Sequence, residues 1–120
     1  MSPELHINLA NLKSNIKFFQ RILKKNTELS AVVKSDAYGL GIAKIVPEIE
    51  RYGVRSFFTA TISEAIMIRS YSRDCEIFTL NGFDFLKSNL YREHNITPII
   101  NNILEAQKFI EIFNQTQKVA

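Results

Sequence analysis

Two hydrophobic periods alternate along the chain. Leu5-His6-Ile7-Asn8-Leu9 switches strictly between apolar and polar residues, which predicts a half-buried strand. Leu12, Ile16, Phe19 and Leu23 then recur at helical spacing, with Lys13, Asn15 and Lys17 between them, and Asn26-Thr27 ends that helix. Leu29-Ser30-Ala31-Val32-Val33-Lys34 is a short valine-rich run that suits a strand buried on both faces of a parallel sheet. Residues 35–41 form a loop with two glycines. Ile42 to Tyr52 reads as a helix with Ile42, Ile45, Ile49 and Tyr52 on one face, closed by Gly53. Pro47 lies inside it, so the regular helix is expected to begin near Val46, with the proline in the first turn.

The second half repeats the theme. Ser56 to Ala60 is a strand, and Thr61-Ile62-Ser63-Glu64 has capping-box spacing ahead of a helix from Ile62 to about Ser70. Glu76 to Leu80 is a strand ended by Asn81-Gly82, and a short helix spans about Asp84 to Glu93. Ile96 to Ile100 is a strand in which Pro98 belongs at an end or an unpaired edge position. Asn102 caps a final helix bearing Ile103, Ala106, Ile110 and Phe113. Repeated βα units imply an α/β fold with a parallel sheet and right-handed crossovers. No domain boundary interrupts the chain.

Composition narrows the classes. A length of 120 residues lies inside the roughly 100–200 of one domain. With 46% hydrophobic and 22% charged residues, disorder driven by low hydrophobicity is excluded. Four glycines and three prolines exclude linker-like and collagen-like chains. The single Cys75 cannot close an internal disulfide. No apolar run approaches the ~18 residues of a bilayer span, and residues 1–6 lack a signal-peptide pattern. A cytoplasmic chain without a membrane partner is expected. The net charge of +3 and pI near 9.1 raise nucleic-acid binding. Lys24-Lys25 is the only basic doublet, however, and the remaining cations are dispersed, so no nucleic-acid partner is expected.

The segment that carries chemistry is Ala31-Val32-Val33-Lys34-Ser35-Asp36-Ala37-Tyr38-Gly39-Leu40-Gly41. Lys34 ends an apolar strand and precedes a glycine-containing loop, where α/β enzymes place their sites. Partial desolvation there would lower its pKa and free an amine able to form a Schiff base with a carbonyl. Gly39 and Gly41 would let backbone N–H groups approach an anion ahead of the Ile42 helix, and Tyr38 offers a phenol beside the same pocket. Plainer roles compete. A strand-ending lysine commonly reaches into water, a lone Gly-x-Gly is commonly a turn, Tyr38 can simply pack, and Asp36 reads as an exposed loop acid or a helix-start acid. His6 and His94 read as surface residues, Cys75 has neither a Cys partner nor a nearby His, and Phe18, Phe19, Phe57 and Phe58 read as core. No metal site is expected.

The joint pattern Val-Val-Lys-x-Asp-Ala-Tyr-Gly-x-Gly resembles the pyridoxal-phosphate lysine motif of the alanine racemase family. Ile7-Asn8-Leu9 with Asn11-Leu12 and Asn15-Ile16 looks like the family's opening strand and helix. Ser63-Glu64-Ala65 with Ile68-Arg69, Ile77 to Gly82, and Ile96 to Ile99 look like later elements in the same order. The resemblance covers nearly the whole chain. It implies that Lys34 holds pyridoxal 5′-phosphate as a Schiff base and serves as one of two acid/base groups, and that Tyr38 contacts the cofactor phosphate. The activity implied is interconversion of L- and D-alanine, which supplies peptidoglycan precursors. Ser35 stands where alanine is commoner and Leu40 where histidine is commoner. Ala10 stands at a usual capping position, which would let the first helix start less firmly.

The family's catalytic domain is an eight-stranded (β/α)8 barrel of about 200–250 residues, a fold-type III pyridoxal-phosphate architecture. Residues 1–120 are therefore expected to form an incomplete N-terminal barrel domain, roughly the first half, with four wall strands and the β-rich second domain absent. The family's Asp-Thr-Gly-Met-type strand end is not found before Ala120, and the resemblance implies that its pyridinium-contacting arginine and opposing tyrosine base belong to parts not matched by this chain. Two open sheet edges and an uncovered apolar inner face should follow. On this reading the chain alone is inactive, and it self-associates or needs a complementing chain, whereas the full-length family is homodimeric. The alternatives are a non-catalytic pyridoxal-phosphate-binding protein, one half of a split racemase, and a racemase for another amino acid.

Overall fold

The computed structural model describes residues 2–117, with side chains through residue 114. Of the domain expected over residues 1–120, Met1 and residues 118–120 lie outside the described residues. The elements run α1 (Leu9–Ile22), β1 (Ala31–Val32), α2 (Lys34–Tyr38), α3 (Ile42–Arg51), β2 (Ser56–Thr59), α4 (Ile62–Tyr71), β3 (Glu76–Thr79), a 3-10 turn (Phe85–Lys87), α5 (Ser88–Glu93), β4 (Thr97–Pro98) and α6 (Ile103–Gln117).

The four strands form one sheet in the order β1-β2-β3-β4, and every pairing is parallel. This is the βα order read from the sequence, and it makes the fold a partial (β/α)8 barrel. In-register neighbours on parallel strands point to the same face. Ala31, Phe57 and Ile77 make one row, and Val32, Phe58, Phe78 and Thr97 make the other. Phe57 and Ile77 are fully buried, with α4 packed against β2 and β3. On the opposite face Phe58 stacks on Phe78, with ring centroids 4.7 Å apart, yet both rings are only half-buried and Val32 is 46% exposed. Among the described residues nothing covers this second face, and β1 and β4 each have one neighbour. The expectation that the Leu29–Lys34 strand is buried on both faces is corrected accordingly: β1 is an edge strand with one covered side.

Further local expectations are revised. Residues 2–8 form no strand among the described residues, and Leu5 is 65% exposed. Asn8 is instead the N-cap of α1, its side-chain oxygen accepting from the Asn11 N–H at 3.0 Å. The helix therefore starts on a proper cap, and Ala10 lies inside it. Phe18 and Phe19 are not core. They form an edge-to-face pair at the outer side of α1, each about half exposed. The α3 helix begins at Ile42 rather than near Val46, because Gly41 supplies its opening acceptor to Lys44 and Ile45. Pro47 thus sits in the helix interior, where it cannot donate to the Ala43 carbonyl four residues back. Both residues face solvent, so water can take that carbonyl. The helix expected over Asp84 to Glu93 is split into a 3-10 turn and α5, with the Asp84 N–H donating to the Tyr91 hydroxyl.

Candidate active site

Lys34 follows directly on β1 at the carboxyl end of the sheet. Val33 is buried and its N–H donates to the Phe58 carbonyl at 2.8 Å, so the β1–β2 ladder continues to the residue before the lysine. Lys34 is half-buried, and its ammonium has no hydrogen bond or ion pair among the described residues.

What comes next was not legible as structure. Ser35, Asp36, Ala37 and Tyr38 all have φ of 54–56°, so one turn of left-handed helix follows the lysine. For L-residues this conformation costs about 1–2 kcal/mol each. Four in succession persist only where the surroundings over-determine them. Ala37 is buried and donates to the Val33 carbonyl, and Gly39 N–H donates to the Ser35 carbonyl at 2.9 Å. The Asp36 carboxylate accepts from the Ile42 N–H at 2.9 Å, which makes Asp36 the helix-start acid of α3. On the other flank the Ser35 N–H donates to Glu64 Oε2 at 2.6 Å. Glu64 belongs to the capping box of α4: its Oε1 accepts from Ala60 N–H, Thr61 N–H and Thr61 Oγ1, while Thr61 Oγ1 accepts from the Glu64 N–H. The sequence showed the box. It could not show that the second oxygen crosses to a loop 29 residues earlier.

The geometry corrects one sequence expectation. Gly39 and Gly41 do not present a backbone anion cradle. The Gly39 N–H serves Ser35, the Gly41 N–H serves the Asp36 carbonyl at 2.8 Å, and the Ile42 N–H serves the Asp36 side chain. The glycines are needed for their own backbone, at φ of 84° and 95°. The residues still fit an aldehyde cofactor carrying a phosphate. A primary amine stands at the rim, the Tyr38 side chain is 63% exposed with no hydrogen bond among the described residues, and a Cβ added at either glycine would meet nothing within 4 Å.

At the opposite end of the sheet, Arg69 from the last turn of α4 was also missed as a hub. It donates to the carbonyls of Ser72, Arg73 and Cys75 ahead of β3 and to those of His94 and Asn95 ahead of β4. Cys75 is buried beside it. Burial pushes its thiol up from the ordinary range, against the lowering effects of the Ser72 contact and the Arg69 charge, so it remains a protonated packing residue. Among the described residues no group of three His, Cys, Asp or Glu is placed to hold a metal, and no helix is long and apolar enough to cross a membrane.

Comparison with known proteins agrees with this geometry. The family model for the alanine racemase N-terminal domain matches residues 7–120. An alanine racemase from Methylobacterium nodulans is 37% identical over 84 residues, covering 70% of this chain and 23% of that protein. One from Rickettsia prowazekii is 32% identical over 116 residues, covering 96% and 28%. The chain thus spans about a quarter of the length of the curated relatives it matches. The crystal structure of alanine racemase from Bartonella henselae with covalently bound pyridoxal phosphate superposes with a TM-score of 0.85 at 29% identity, over 92% of this chain and 31% of that one. An alanine racemase structure from Clostridium difficile 630 gives 0.81 at 26%, over 92% and 29%. By sequence and by fold, the chain belongs to the alanine racemase family.

Proposed function

We propose that this chain is the cofactor-lysine part of an alanine racemase. Lys34 bonds pyridoxal 5′-phosphate and acts as one of two proton-transfer groups, and Tyr38 contacts the cofactor phosphate. The observation that carries the reading is a lysine with no partner among the described residues, at the carboxyl rim of a parallel sheet, followed at once by a strained turn bearing an exposed phenol. Strain of this kind collects where a reacting group must be held in place.

When bound, pyridoxal phosphate supplies the electron sink that lets the α-proton of an amino acid leave. Lys34 Nζ would be the site of attachment and, once displaced from the cofactor by the amine of the substrate, would be free to take up or return that proton on one face of the α-carbon. Tyr38 Oη would donate to the cofactor phosphate. The left-handed turn keeps the two on one rigid segment. The base for the other face, the remaining wall strands and the second domain lie outside these residues on this reading, which also places the protein in the cytoplasm as part of a homodimer acting on the small molecule alanine. The uncovered Val32, Phe58 and Phe78 row supports a need for completion by further strands, whether from one polypeptide or from a complementing chain.

Cofactor retention through gel filtration tests the assignment. The wild-type chain is expected to keep pyridoxal phosphate and Lys34→Ala to release it; equal retention by both would contradict the role of Lys34. In the same samples, alanine racemisation is expected to stay at the Lys34→Ala level. Turnover above that level would place the second base within this chain. Cofactor kept without turnover, even after the missing strands are supplied, would favour a pyridoxal-phosphate-binding protein that is not a racemase.

A further inference from the structure

We propose that Glu64 is a positioning residue for Lys34, an inference that rests on reading Lys34 as the cofactor-bonding residue. The capping box of α4 needs only one carboxylate oxygen, and Oε1 already takes the Ala60 and Thr61 N–H groups and the Thr61 hydroxyl. Oε2 is surplus to capping and accepts the Ser35 N–H at 2.6 Å, the shorter distance expected of a charge-assisted bond.

The identity of that donor matters. The Ser35 N–H lies in the same rigid peptide unit as the Lys34 Cα and carbonyl. Fixing it fixes the plane that leaves the lysine, and with it the backbone from which the amine projects. Ser35 is also the first of the four left-handed residues. The far end of the turn is held by Asp36 on Ile42 and by the burial of Ala37. At the lysine end, among the described residues, the Glu64 carboxylate in the first turn of α4 is the side chain that holds the Ser35 N–H, beside the backbone bonds of Val33 and Ser35. Glu64 thus joins the rims of β1 and β2 and aims the residue between them, without touching the cofactor itself.

A role confined to helix capping would be shared with Thr61, which separates the two possibilities. Wild type, Glu64→Gln, Glu64→Asp and Thr61→Ala are compared by melting temperature, by hydrogen exchange at the Ser35 amide, and by the rate at which pyridoxal phosphate becomes fixed on Lys34, trapped with borohydride. Glu64→Gln is expected to unprotect Ser35 and slow attachment by about tenfold, the scale of a small misplacement of a reacting group. Glu64→Asp keeps the charge at the helix start but withdraws the oxygen by one methylene. It should melt near wild type and still slow attachment. Thr61→Ala should melt lower while attaching at close to the wild-type rate. Attachment at the wild-type rate in both Glu64 variants, or slowing by Thr61→Ala equal to that of Glu64→Gln, would overturn the proposal. Folded wild type that acquires no cofactor on Lys34 would instead overturn the reading beneath it, and the inference with it.

Discussion

The two ends of the sheet solve opposite problems with opposite charges. The connections leading into strands start from helix C-termini, which leave carbonyls without partners, whereas those leaving strands run into helix N-termini, which leave N–H groups without partners. At the first end the solution is a cation: Arg69 donates to five backbone carbonyls in two connections. At the second end the solution is a pair of carboxylates, with Asp36 on the N-terminus of α3 and Glu64 on both its own helix and the turn after Lys34. The ends differ equally in strain. The non-glycine left-handed residues at the Arg69 end are Asn26 and Asn95, a residue type that tolerates this region. At the Lys34 end they are Ser35, Asp36, Ala37 and Tyr38, of which only the aspartate does. One end is built for stability at little conformational cost. The other holds a strained segment in place beside the Lys34 amine to which the proposed function assigns the cofactor.

This contrast can be broken at either end. Arg69→Ala should have the largest effect, with loss of about 3 kcal/mol as several part-buried carbonyls lose a charged donor. Chemical denaturation should show it, while the molecules that remain folded still fix cofactor on Lys34. A variant with unchanged midpoint would show that the clamp contributes nothing. Ser35→Gly is expected to act in the other direction. At φ 54° on an exposed residue, glycine removes a backbone penalty larger than its unfolded-state entropy, a gain of up to about 1 kcal/mol. The same substitution at Asn26 should gain less, and a larger gain at Asn26 would mean that the strain does not concentrate at the lysine end.

The smallest effect concerns pH. Burial raises the Cys75 thiol in the folded chain, so the native state holds that proton more tightly than the unfolded one. Its contribution is full below the ordinary thiol range and is lost as pH rises through the raised folded value. Melting temperature should therefore decline on the alkaline side with a slope that Cys75→Ala reduces, and an identical slope in both proteins would contradict the assignment.

How much was legible follows the range of the interactions. The βα order, the Thr61-Glu64 box, the Asn102 cap on α6 and the place of Pro98 at the end of an edge strand depend on neighbours a few residues apart, and the sequence displays them. At residues 5–9 two local signals competed. Alternation favoured a strand, but a strand needs a partner and none is present among the described residues, so the capping chemistry of Asn8 prevailed. The exposure of Val32, Phe18 and Phe19 depends on what lies beside them, which apolar spacing does not encode. The left-handed turn runs against the preferences of serine, alanine and tyrosine; Asp36 supports it locally, but the Glu64 bond and the burial of Ala37 come from elements far along the chain. The position of Lys34 and Tyr38 just past a strand end was legible; the anion cradle assigned to the glycines was not there, because the turn uses those N–H groups itself.

The central claim, that Lys34 is the residue that bonds an aldehyde cofactor, is tested most directly by chemical mapping. The folded chain is mixed with pyridoxal phosphate, reduced with borohydride, digested and sequenced by tandem mass spectrometry. The pyridoxyl mass is expected on Lys34, with no equivalent site in Lys34→Ala. The same mass spread over the surface lysines, or absent from folded protein, would contradict it.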